Sequence, residues 1–428
     1  MKHPLLFTFL LFFFTESIVA QSFVVKNEPG VNVNLGGEGF YGSNALSHSF
    51  LKTIVFGGKI TPQMKDQVAA RLNLENNFLF DARYGAAVSW STKNKHRIGV
   101  DFSQRYYTEA QFSENFFQTL MYGNTQWGTD LIDLGTQQLQ LCSYTDVQIT
   151  YDLPVIQLRD RLELVLNFSG GIRLGHQFMD GYSAHSSLQT TALTEILHLK
   201  ADILYRENRA NVVNGVGAGL DISAALQGTF DKGAWKVHLF TQDLGFIRWN
   251  SNSTSFKHDF DISFEGIEIE PTLDGNANPI TLFTDSLQTE IANHSGTKAF
   301  SKMSPASIHL SADIAFNTSR PQITGFTLFG SVSLFSTPFY RIGIAPFIEH
   351  KFNRNNQSDG ISFRLPISYS NLYGIGLGAG IGYEAVRIDA QNRYRQHYKC
   401  SLHCADLGFR SASVYGAVTL GFSIEKID

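Results

Sequence analysis

Charge is scarce in this chain. Asp, Glu, Lys and Arg make up 17% of its 428 residues and the formal net charge is -4, whereas soluble domains average about a quarter charged residues. The balance of signs removes a nucleic-acid partner, which would need a basic surface. Long apolar runs are also missing. Beyond the first twenty residues no eighteen consecutive apolar residues occur, which excludes a bundle of membrane-crossing helices. Only three cysteines are present, so at least one has no partner within the chain. No Ser, His and Asp have the spacing of a catalytic motif: His185-Ser186-Ser187 lies near Asp180, and His238 falls on a polar strand face, but these residue types are common enough to meet by chance. The sequence therefore argues against an enzyme and names no cofactor.

What is present is glycine and aromatic side chains, 37 Gly and 35 Phe, in alternating order. In Ser413 to Glu425 every second residue, from Val414 through Ile424, is apolar or glycine, and smaller or more polar residues stand between. A strand points successive side chains to opposite faces, so this stretch has one greasy side. Its length exceeds the five or six residues usual in soluble strands and suits a tilted bilayer crossing. The same pattern recurs from Phe78 to Trp90, Leu162 to Leu174, Val216 to Leu226, Trp235 to Phe240, Phe256 to Glu265, Ile308 to Phe316, Phe326 to Leu334 and Ile361 to Ser370. In Gly374 to Ala385 the polar face is replaced by glycine, which leaves room for bulk beside it. Pro366 has no amide hydrogen and marks a lost ladder bond or a bulge.

The pattern predicts an all-β fold, a transmembrane antiparallel β-barrel of roughly 14 to 16 strands in a cell outer membrane, in contact with outer-membrane lipid. Residues 1–20 read as a cleaved secretory signal peptide, with Lys2 and His3 before an apolar stretch and a small residue at Ala20. Residues 21–76 alternate poorly and read as an amino-terminal plug, a periplasmic segment, or one further strand with a long loop; the plug or periplasmic reading leaves 77–428 as the barrel. Counting back from a periplasmic carboxyl end makes Asn371-Leu372-Tyr373 a periplasmic turn and puts 353–359 and 390–406 outside. It also places 111–135 and 271–305 in the periplasm, against the rule that long connections face outward. Trp90, Trp235 and Trp249 read as interfacial girdle residues.

His397, Cys400, His403 and Cys404 fall in the expected outer loop. Two thiols and two imidazoles suit a metal such as zinc, but in an exported chain a local Cys400–Cys404 disulfide is the plainer reading, and no metal site is assigned. The inward faces carry both signs, among them Asp81, Arg83, Asp101, Arg105, Arg161, Glu163, Arg173, Asp221, Lys236, Lys257, Asp259, Asp261, Asp313, Arg364 and Glu384. Mixed charge indicates a salt-bridged or plugged interior in place of an open ion pore.

Asp243-Leu-Gly-Phe-Ile-Arg-Trp-Asn250, with Phe264-Glu-Gly-Ile267, Val55-Phe-Gly-Gly-Lys-Ile60 and Tyr122-Gly-Asn124, resembles a family of outer-membrane barrels from Bacteroidota-type bacteria known as a domain of unknown function. The resemblance implies a barrel similar in build to fatty-acid transporters, with no catalytic residue. Gly245 within it interrupts the alternation and suits a β-bulge. Two functions follow as expectations: passive uptake of a small, mainly hydrophobic ligand, or a structural role beside protein partners in a secretion or surface-attachment complex.

Overall fold

The computed structural model describes residues 30–92, 96–191, 197–208, 211–264, 295–317, 322–354, 357–388, 394–408 and 412–426. The expected signal peptide and most of 271–305 lie outside them. The chain begins with β1 (Val31–Ser43), then α1 (His48–Phe56) and α2 (Pro62–Ala69), β2 (Glu75–Ser91), β3 (Arg97–Ser113) and α3 (Glu114–Tyr122). It continues with β4 (Gln137–Asp152), β5 (Leu162–Thr190), β6 (Leu197–Asn208), β7 (Gly215–Phe230), β8 (Gly233–Trp249) and β9 (Thr254–Phe264). Next come β10 (Ala306–Asn317), β11 (Gln322–Leu334), β12 (Phe339–Arg354), β13 (Gln357–Arg364), β14 (Ile367–Ser370), β15 (Gly374–Ile388), β16 (Tyr394–Gly408) and β17 (Ser413–Lys426).

Antiparallel pairing runs from β1 through β2, β3, β4, β5, β7, β8, β10, β11 and β12 to β13 with β14, then β15, β16 and β17. The last strand returns to the first, from Val31 opposite Ile424 to Gly42 opposite Ser413. With β13 and β14 counted as one interrupted strand, the ring has fourteen. Closure gives every wall strand two neighbours, and this allows a sheet to sit in hydrocarbon, where no water meets an unpaired amide. The outward faces are apolar: Ile149, Ile172, Val216, Leu310, Ile342 and Ile375 are more than half exposed. The inward faces hold buried polar groups such as Asn34, Gln148, Arg173, Ser223, Thr327 and Ser368. No helix among the described residues is long and apolar enough to cross a membrane. The chain is an outer-membrane β-barrel.

Connection lengths orient it. At the end that holds Val31 and Lys426, the links between wall strands have two to nine residues, whereas 44–74, 114–136 and 250–305 connect strands at the other end. Short turns are periplasmic and long loops external, which removes the conflict in the sequence reading. Residues 390–406, expected as an outer loop, make the difference. The stretch is instead wall strand β16, and its omission shifted the parity of everything before it, so 371–373 and the 114–136 connection move to the external end, and the 353–359 link to the periplasmic end. β16 is hard to see because its outward face up to the bulge is Tyr394, Gln396, Tyr398, Cys400, Leu402 and Cys404, with a single aliphatic side chain.

Three further expectations change. Val31–Ser43 belongs to the wall, because its interrupted pattern of Asn, Gly and Glu is an inward face. Thr254–Phe264 does not: β9 pairs with β6, which pairs with the end of β5, Phe178–Thr190, beyond the point where β5 leaves β7 at Gly175. The plug is absent from the described part of 21–76. Helices α1, α2 and α3 pack around Phe50, Val68 and Phe117 against Tyr41, Phe78 and Phe112. These last three lie on the lipid-side faces of β1, β2 and β3, so the helices cap the rim from outside the lumen. There burial holds the His48 imidazole, bonded to Tyr41, below its ordinary range.

Each helix starts on a side-chain cap: Ser47, Thr61 and Ser113 accept from the amides three residues on. Ser113 also donates to the Leu134 carbonyl, so one hydroxyl ties α3 to the loop that follows it. Ser113→Ala is expected to lower stability by about 1–2 kcal/mol, read as a lower urea midpoint of the detergent-folded barrel. An unchanged midpoint would show that the cap adds nothing to the wall.

Candidate functional site

Pro366 separates β13 from β14, and the amide it lacks is matched by a carbonyl that accepts from Gly378 at 2.9 Å. Gly378 faces a bulge in β16 where register slips between Leu377 and Ala379. The glycine face of β15 accommodates this neighbouring strand: a Cβ on Gly378 would fall 2.0 Å from the Cys404 carbonyl, and one on Gly380 2.3 Å from His403 Nδ1. A second bulge lies across the lumen, where β8 slips against β7 between Thr241 and Leu244, as Gly245 suggested. Each bulge turns an aspartate inward in the left-handed region, Asp243 at φ 63° and Asp406 at φ 55°.

Asp243 is the hub of a buried charge cluster. Its Oδ2 accepts from Arg105 Nη1 at 2.8 Å and from Arg83 Nη1 at 3.4 Å, and its Oδ1 from Arg173 Nη2 and the Tyr144 hydroxyl, both at 3.2 Å. Its carbonyl accepts from Arg173 and Ser304, and its amide donates to Asp221 at 2.6 Å. The arginines are shared outward. Arg105 forms a two-pronged pair with Asp81 at 2.8 and 2.7 Å, and Arg173 donates to Asp146 at 3.0 Å. Arg83 is held least: besides Asp243 it reaches Ser103 at 3.1 Å. Beside the cluster, Asp406 pairs with Arg341, whose guanidinium lies over the Tyr415 ring, and Tyr415 donates to Glu38 at 3.0 Å.

This layer divides the lumen. On its external side is a small chamber lined by Phe40, Leu79, Phe335, Phe339 and Tyr415 together with Arg83, Arg105 and Arg341. Phe40 and Phe339 stack at 5.0 Å, and with Tyr107, Leu372 and Tyr373 they form a packed aromatic cluster at the external end. On the periplasmic side a vestibule is lined by Asp101, Gln148, Thr150, Ser169, Ser223, Thr419 and similar groups. Glu38, Arg83 and Gln242 line both spaces. These side chains form a septum between the two spaces.

The metal and disulfide candidates are not brought together. Cys400 and Cys404 lie on the outward face of β16, four residues or about 13 Å apart, while a disulfide needs Cα atoms within about 7 Å. His397 and His403 lie on the opposite, inward face, so strand alternation itself rules out a shared ligand set. No three His, Cys, Asp or Glu side chains among the described residues form a metal-binding group. Asp180 and Ser186 stand six residues apart on β5, roughly 20 Å; Asp180 pairs with Lys302, and His238 bonds to Ser223. Of the inward charges, Arg161 pairs with Asp231 at an exposed turn, and Lys257, Asp259 and Asp261 ride on β9 outside the ring. Trp249 is not at the interface. The bulge moves the inward face of β8 from even to odd positions, and Trp249 is fully buried against Phe178 and Phe300. Asp243 and Asp406 are not among the charges expected inside, yet the sequence carries a signal for them: Asp-Leu-Gly-Phe occurs at 243–246 and again at 406–409.

Residues 177–389 match the model of a family described as a family of unknown function, DUF5723. They include the Asp243 block that carried the resemblance. No curated protein matches the sequence. Among solved structures, the chain is similar to the TodX deltaS2S3 mutant monoaromatic hydrocarbon channel, at 10% identity and TM-score 0.41 over 93% of this chain and 91% of that one. A Pseudomonas aeruginosa FadL homologue gives 8% identity and TM-score 0.37 over 93% and 89%. The CymD monoaromatic hydrocarbon channel gives 9% identity and TM-score 0.35 over 97% and 94%.

Proposed function

We propose that the barrel is a gated conduit for passive uptake of a small, mainly hydrophobic molecule across the outer membrane. One observation carries the reading: the aromatic chamber and the polar vestibule are separated by side chains, and Glu38, Arg83 and Gln242 line both. A side-chain layer opens by rotamer change without unfolding the wall. Of its charged members Arg83 has the longest contact with Asp243, so it is the movable part. The external chamber offers rings to an apolar body and guanidinium groups to a polar end, a mix usual in small-molecule sites.

The test is single-channel recording in planar bilayers. Arg83→Ala is expected to give larger or more frequent steps than the unaltered chain, and benzyl alcohol on the external side is expected to reduce them. Current that ignores benzyl alcohol would move the substrate class away from small aromatics. Silence in both proteins would favour a second reading, an assembly or surface-attachment partner. That reading has its own support in β5, which continues to Thr190 after it leaves β7 at Gly175 and pairs over Phe178–Thr190 with β6.

A further inference from the structure

The helical cap lies beside the wall, over the lipid. Tyr41, Phe78 and Phe112 seat it, and lower on the same outward faces Leu35, Tyr84 and Phe102 are about half exposed in the lipid-facing belt. The packing of the cap leaves apolar surface uncovered. In α1, Ile54 stands one turn beyond buried Phe50 and is 53% exposed; in α3, Leu120 stands one turn beyond buried Phe117 and is 64% exposed. Residues 44–74 carry four basic side chains and one acidic. Lys65 is engaged, donating to the Met121 carbonyl and lying over the Tyr122 ring, while Lys52, Lys59 and Arg71 are exposed.

Apolar residues alone would fit another protein equally well. Cations beside them, on an element continuous with the lipid-facing wall, select an anionic membrane surface. We propose that α1, α2 and α3 form an interfacial anchor in the outer leaflet: Ile54 and Leu120 enter the acyl boundary, and Lys52, Lys59 and Arg71 pair with lipid headgroup phosphates. The anchor is independent of transport through the lumen. It fixes the depth of the β1–β3 side of the barrel.

The test is hydrogen–deuterium exchange of the full chain folded into phosphatidylcholine vesicles with and without phosphatidylglycerol. Amides of 48–56 and 114–122 are expected to exchange about tenfold more slowly when phosphatidylglycerol is present. Lys52→Gln/Lys59→Gln/Arg71→Gln should abolish that difference, and Ile54→Ser/Leu120→Ser should remove protection in both vesicle types. Wall-strand amides report in each variant whether the barrel has folded. Equal exchange in neutral and anionic vesicles overturns the proposal. So does protection that follows protein density in the membrane instead of lipid charge, because that would mean contact between copies of the chain.

Discussion

Asp243→Ala is expected to cost about 3–5 kcal/mol of stability, the range for breaking a buried ion pair from one side. Three arginines lose the carboxylate they share, and Arg173, fully buried, keeps among the described residues only Asp146 as an acidic partner. Removing the charge while keeping the shape, as Asp243→Asn, separates the two contributions: the amide oxygen still accepts one hydrogen bond, but the net attraction is gone. The midpoint of urea unfolding in detergent, followed by the mobility shift between folded and heated barrel, reads the effect. The same variants should conduct more readily, because the septum loses the group that draws Arg83 across the lumen. A stable and silent Asp243→Ala barrel would mean that the arginines are satisfied elsewhere, and the septum would no longer be a gate held by charge.

The second large effect is expected at Trp249, the largest fully buried side chain. It fills space left by two glycines: a Cβ on Gly175 would lie 2.8 Å from its ring, and one on Gly215 3.1 Å. Those glycines form the last pair between β5 and β7, where the wall strand departs into the external extension. Trp249→Ala should cost about 3–5 kcal/mol through the cavity it leaves. Trp249→Phe should cost only roughly 2 kcal/mol, because the indole nitrogen has no hydrogen-bond partner among the described residues. Equal losses in the two variants would show that the indole nitrogen is held by a bond, or that ring size there is immaterial.

Both predictions rest on residues that sequence reading reached only halfway. It placed Arg83, Arg105, Arg173 and Asp221 on inward faces and inferred a salt-bridged interior, but Asp243 sat in a block valued only for its resemblance. Gly245 announced a bulge. Its consequence, an aspartate turned inward and Trp249 brought into the core, depends on which face β8 resumes after the extra residue, and that is settled by pairing with β7 and the strand on its other side. The partners of Asp243 lie 70, 138 and 160 residues away along the chain, beyond the reach of any local pattern.

By itself the sequence determined the alternation, and with it the strand length, the greasy exterior, the polar interior and the closed barrel, because side-chain direction along a strand is a local property with a period of two. Only the tertiary structure decided which segments enter the ring. β9 alternates well yet pairs outside the wall, while β1 and β16 alternate weakly yet complete it, since membership requires two neighbours in register and those neighbours lie far away in the chain. The same long-range pairing set the short turns on the periplasmic side and gathered three arginines around one aspartate.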